Sequence, residues 1–156
     1  MVLSAIMHAK ILNYGVHTMK KDIAGKEFSL TFTVLPEMSA SLAGQQIHPV
    51  CSTVTMVYFA EVASRKLIEP FFESDDQAIG GGISLQHKAM AAIGEEVEIT
   101  ARITSFEKNI IICDIHACIK GTDIILCNGT QTQILLKKDS INTLIDQAYS
   151  RINHKE

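Results

Sequence analysis

The sequence predicts an α+β fold in which an antiparallel β-sheet wraps around one long buried helix and a second helix closes the chain. Residues 53–70 are apolar on almost every side at helical spacing, so that helix needs cover from most directions. Around it stand several segments that alternate apolar and polar residues with period two, as half-buried strands do. The order is one strand, the helix, four strands and a last helix. No linker, repeat or low-complexity run divides the 156 residues into separate cores.

The first strand is KEFSLTFTV, residues 26–34, with Phe28, Leu30, Phe32 and Val34 on one parity. Pro36 and the small, polar run EMSASLAGQQIHP, residues 37–49, read as a loop. Ser52 or Thr53 caps the helix and Pro70 stops it. On that helix Met56, Ala60, Ala63 and Leu67 form one stripe, with Val57, Ser64 and Ile68 in a second region beside it. The glycine run IGGG then leads into the strand ISLQH, residues 83–87. EEVEITARITSF, residues 95–106, sets Val97, Ile99, Ala101 and Ile103 on one face, and NIIICDIHACIK, residues 109–120, does the same with Ile111, Cys113, Ile115, Ala117 and Ile119. DIILCNGTQTQILL, residues 123–136, is a long strand expected to bulge near Asn128 and Gly129. Ile141, Leu144, Ile145 and Ala148 give the last segment a helical stripe. The chain thus divides into an extension over 1–18, a sheet-and-helix domain over 19–138 and an amphipathic helix over 139–156.

Composition excludes several classes. Fourteen Lys and Arg are spread along the chain and outnumbered by 17 Asp and Glu, which leaves no basic footprint for nucleic acid. No apolar run reaches the roughly 20 residues that cross a bilayer. The first 18 residues lack a basic segment followed by an apolar core and a cleavage site, so they do not read as a secretory signal, and Met19 is an alternative start. Cys51, Cys113, Cys118 and Cys127 show no paired spacing; reduced thiols in a cytoplasmic protein are expected, with neither disulfides nor zinc. No cofactor is implied.

Glu61, in the middle of the apolar helix, is the first candidate for chemistry. Helix geometry alone offers it a partner in Arg65 four residues on, in the favourable order of charge. His87 shares strand parity with Ile83 and Leu85 and is expected to face inward, either as a hydrogen-bonded core residue or as equipment for acid-base work. Gly80, Gly81 and Gly82 match neither phosphate-loop pattern and precede a strand, so they are expected to permit close backbone approach to a helix, a ligand or another subunit. Asp114 and His116 fall on the parity opposite the apolar set and read as a solvated face. His8, His17, His48 and His154 lack metal-ligand spacing.

STVTMVYFAE, IGGGISLQH and GEEVEITARI together resemble the hotdog-fold thioesterases, and among them the fluoroacetyl-CoA thioesterase-like family. There a Thr at the helix start, a Glu eight residues later and a His twenty-six residues further on form the catalytic group. Thr53, Glu61 and His87 keep both spacings, and Gly80 matches the family's Gly seven residues before the His. The resemblance covers roughly residues 20 to 138. It departs at the last strand, where Gly129-Thr130-Gln131-Thr132-Gln133 replaces a Gly-Thr-His-Glu-Arg pattern and leaves Gln133 in the place of a basic residue. It departs again at the helix start, where Thr53 precedes Val54 rather than Pro or Gly. Fluoroacetyl specificity is not carried over.

The resemblance implies a hotdog fold, homodimers or larger assemblies with sites at the subunit interface, and hydrolysis of a small or medium acyl-CoA. Thr53, Glu61 and His87 would be catalytic, and Gly80, Gly81 and Gly82 would contact the substrate. Whether Glu61 attacks the acyl carbon or activates water stays open. The alternative is a non-catalytic module that binds acyl thioesters on the same fold. The local Asp and His pattern of hotdog enoyl-CoA hydratases is not found.

Overall fold

The computed structural model describes residues 23–153; the extension over 1–18 and the Met19 start lie outside the described residues. In chain order the elements are β1 (Glu27–Thr33), a 3-10 turn (Pro36–Met38), β2 (Ser39–Leu42), β3 (Gln45–Cys51), α1 (Thr53–Ile68), a second 3-10 turn (Glu69–Phe71), β4 (Asp76–His87), β5 (Glu96–Glu107), β6 (Ile110–Ile119), β7 (Ile125–Lys137) and α2 (Lys138–Asn153). Five strands form one antiparallel sheet in the order β1-β5-β6-β7-β4, which places β4 at an edge. Among the described residues no helix is long and apolar enough to cross a membrane.

The central helix begins where the sequence places its cap. The Ser52 hydroxyl oxygen accepts the Thr55 N–H at 3.0 Å, satisfying one of the free donors of the first turn. The helix ends before Pro70. Met56, Ala60, Ala63 and Leu67 of the first stripe are buried, with Ser64 and Ile68 of the second, while Val57 is half-buried. They share one core with Val97, Ile99, Ala101 and Ile103 of β5 and Ile111, Cys113, Ile115 and Ala117 of β6. Phe59 of α1 stacks on Phe32 of β1 with ring centroids 3.8 Å apart. The buried Ser64 hydroxyl donates to the Ala60 carbonyl at 2.9 Å and so carries no unmet polar group into the core. Each fully buried Ile contributes about 2 kcal/mol of burial.

Cover of the helix is less complete than its composition predicts. Val54 and Tyr58 are 77% and 61% exposed, so one flank of α1 lies open beside the edge strand.

Four expectations need correction. Residues 37–49 are not a loop: β2 and β3 pair into a separate two-stranded ribbon, turned at Ala43 and Gly44, which both have positive φ. The glycine run does not precede a strand but lies within one, because β4 starts at Asp76 and is bulged between Gly80 and Gly82. Asn128 and Gly129 are regularly paired with His116 and Ile115, and the irregularity in β7 falls at Leu126, between the pairs Ala117–Cys127 and Cys118–Ile125. On α2, Ile141 and Leu144 pack against Ile79, Ile134 and Leu136, whereas Ile145 is 46% exposed.

Candidate active site

Thr53, the first residue of α1, meets His87, the last residue of β4. Thr53 Oγ1 and His87 Nε2 are 3.0 Å apart, a hydrogen bond in which either group donates according to the imidazole tautomer. The strand parity of His87 is as the sequence predicts, since it pairs with the buried Cys127 on the helix side of the sheet. Its burial is not: β4 is an edge strand, so the ring stands exposed to solvent in the single chain. The free N–H groups of the first turn of α1 adjoin this pair, and they favour negative charge there.

Glu61 lies two turns further along α1 and is also exposed. Its carboxylate makes no hydrogen bond or ion pair among the described residues. The pairing with Arg65 that helix geometry allows does not form. Arg65 instead reaches away, donating to Glu69 at 2.9 Å, to Gln77 Oε1 at 3.0 Å and to the Ala78 carbonyl at 2.6 Å, and its guanidinium stacks on Phe72 at 5.1 Å. Its bond to Glu69 is the main reason that carboxyl titrates below its ordinary range. Arg65 thus clamps the helix to the start of β4, and the Glu61 carboxylate stays available.

What holds Glu61 in place is an absence. A Cβ added at Gly80 would come within 2.6 Å of Glu61 Oε1, so the carboxylate occupies the space a side chain there would fill. Gly81 belongs to the bulge, and its missing Cβ faces Ile134 at 2.9 Å; Gly82 has open space around it. Of the three glycines, Gly80 alone lines the cleft of about 480 Å³ that also takes in Tyr58, Glu61, Val62, Arg65 and Gln133. Replacing Gly80 with alanine is expected to displace the flexible Glu61 carboxylate and leave the backbone in place. Acyl-CoA turnover should fall about a hundredfold, while the melting temperature stays within a few degrees of wild type. A thiol-release assay run beside a thermal melt checks both halves.

Within one chain the three predicted catalytic residues are divided. Thr53 and His87 are together, but Glu61 lies about 12 Å along the helix from Thr53 at the usual rise per residue. Gly80, the seat of Glu61, is about 20 Å from His87 along the strand.

Sequence reading missed a feature of the cleft floor. Gln133 pairs directly across the ladder with Gly80 on the helix side of the sheet, and both Gln131 and Gln133 are 1% exposed. The signal was present: these residues share parity with Cys127 and Leu135, so two primary amides stand at core positions. Asp114 and His116 are exposed as expected, with His116 Nδ1 bonded to Asn128 at 2.8 Å. The four cysteines are free, and burial pushes the Cys51, Cys113 and Cys127 thiols up to about 11, with Cys127 adding to the effect on Cys51 and Asp114 to that on Cys113. None of these three supplies a thiolate near neutral pH.

A family model described as fluoroacetyl-CoA-specific thioesterase, FlK, matches residues 34–139. No curated protein sequence matches the chain. Among solved structures, a thioesterase superfamily member from Thermus thermophilus superposes with a TM-score of 0.83 at 29% identity, over 87% of this chain and 100% of that one. The fluoroacetyl-CoA thioesterase FlK superposes with a TM-score of 0.73 at 22% identity, over 82% of this chain and 98% of its own. A hot-dog-like protein from Thermanaerovibrio acidaminovorans gives 0.74 at 13% identity, over 81% and 92%. The helix wrapped by an antiparallel sheet is therefore the hotdog fold, and the chain belongs to the fluoroacetyl-CoA-specific thioesterase family of thioester hydrolases.

Proposed function

We propose that the protein hydrolyses a small or medium acyl-CoA at a site built from two copies of the chain, with Thr53 and His87 from one and Glu61 from the other. The observation that carries this reading is the division of the three residues within a single chain. A carboxylate about 12 Å along the helix cannot exchange a proton directly with an imidazole that bonds the residue at its start.

The edge position of β4 offers the remedy. An antiparallel pairing of two β4 strands about a two-fold axis near Ser84 sets Ile83 opposite Leu85. The bulged Gly80–Gly81 step of one copy then lies opposite His87 of the other, with Gly80 and His87 on the same face. That arrangement brings Glu61 to His87 across the boundary, and it covers the open flank of α1 at Val54 and Tyr58.

In the reaction, either a water oxygen attacks the acyl carbon while Glu61 takes its proton, or a Glu61 oxygen attacks and water later cleaves the acyl-enzyme. In both routes the carbon–sulfur bond breaks, CoA leaves as thiolate, and His87 delivers its proton. Thr53 orients the imidazole. N–H groups at the start of α1 and at the Gly80–Gly82 bulge, where one residue has no partner across the ladder, are the candidate donors to the developing oxyanion. A solved structure of a variant FlK in complex with fluoroacetate and CoA supports a CoA thioester as the substrate class.

Mixed dimers test the shared site. Glu61→Gln and His87→Ala chains should each be inactive alone, yet coexpression should restore about a quarter of wild-type activity, since half of random dimers then hold one intact composite site. Mixed dimers that form but remain as inactive as either parent would overturn the shared site.

A further inference from the structure

We propose that Gln133 selects the acyl group, and that the favoured substrates are short acyl thioesters carrying a hydrogen-bonding oxygen. The inference rests on the Glu61 cleft being the reaction site. Gln133 lines that cleft from β7, directly across the ladder from Gly80, over which the Glu61 carboxylate sits. Its residue exposure is 1%, and its amide nitrogen is fully enclosed without a hydrogen-bond partner. Two residues away on the same face, Gln131 repeats the pattern: its nitrogen donates to the Thr132 carbonyl at 3.0 Å, but its amide oxygen is enclosed and unpartnered.

A buried amide left unpaired is a standing loss to the folded state. An amide that the fold leaves unsatisfied at the floor of a reaction cleft is suited to a ligand that completes it. Gln133 presents an N–H donor there. A substrate hydroxyl oxygen accepts from it, whereas an unsubstituted alkyl chain does not. Sites that hydrogen-bond a substrate hydroxyl discriminate strongly against the analogue that lacks it, because binding the analogue leaves the protein's own polar group unpaired.

Paired substrates of nearly equal size provide the test. Thiol release from 2- and 3-hydroxybutyryl-CoA is compared with that from butyryl-CoA, using wild-type protein and Gln133→Met, which keeps side-chain length and removes the amide. Wild type is expected to favour at least one hydroxyacyl thioester by about thirtyfold in kcat/KM. Gln133→Met should reduce that preference to within about threefold, lowering kcat/KM for the hydroxyacyl thioester by more than that for butyryl-CoA. Equal rates of wild type on all three thioesters would overturn the proposal, whether or not the variant folds. So would a variant that loses both activities together, which would make Gln133 a support for Glu61. Glu61→Gln separates the two levels of the argument. Full activity of that variant defeats the reading of the site, whereas an inactive Glu61→Gln beside an indifferent wild type defeats the acyl selection alone.

Discussion

Glu61→Gln is expected to lower kcat for acyl-CoA hydrolysis by about a thousandfold, within the range for loss of a positioned acid-base or nucleophilic group. The substitution keeps the shape of the side chain and its seat over Gly80, so the geometry of the cleft survives. No ion pair is broken, because Arg65 is held by Glu69, Gln77 and the Ala78 carbonyl. Stability should therefore stay within about 0.5 kcal/mol of wild type, as for an exposed substitution away from structural contacts. KM should change little, which places the loss in the chemical step. Steady-state kinetics on a short acyl-CoA and a denaturant titration are the measurements. A variant that keeps the wild-type kcat removes Glu61 from the mechanism.

The largest effect on stability should come from Gly129→Ala. A Cβ at this position would collide with the Ser84 carbonyl oxygen and lie 2.7 Å from Leu85 Cδ2. The first of these is backbone of the neighbouring strand and has no rotamer by which to escape. The strands must part, at a cost of about 3 kcal/mol, the upper range for overpacking. For a chain of this size that corresponds to a melting temperature lower by about 10 °C. Because the damage falls on β4, it also disturbs the edge that carries His87. Gly82→Ala is the comparison: nothing lies within 4 Å of its added Cβ, so stability should stay within about 0.5 kcal/mol of wild type. Equal melting temperatures for the two variants would contradict this account.

Elements that bury one face of regular side chains were legible in the sequence. The alternation in β1, β5 and β6 and the bracketing of α1 by Ser52 and Pro70 correspond to the observed strands and helix because burial imposes those periods. The β2–β3 ribbon was not legible, since Gln45–Pro49 is exposed on both faces and nothing enforces a pattern. The glycines of β4 concealed a strand for a related reason: residues without side chains cannot show alternation. Asn128-Gly129 carried the composition of a bend, but at Gly129 the demand is close approach between strands.

At the candidate site, strand parity singled out His87 and the family resemblance singled out Thr53, and the two hydrogen-bond. The distance of Glu61 from them is a tertiary property that no count along the chain contains. Gln133 first reads as the loss of a basic residue, and its enclosure becomes visible only when Gly80 is found opposite it.

The Cys51 thiol shares a small recess with His87, within a protein whose substrates are activated acyl groups. A thiolate there would compete with water, taking the acyl group by transthioesterification and leaving the protein acylated. Burial, aided by Cys127, holds that thiol near a pKa of about 11. At neutral pH that thiol therefore stays protonated. If the site is the one proposed, the protein keeps sulfur beside His87 while remaining a poor acceptor of the group it releases.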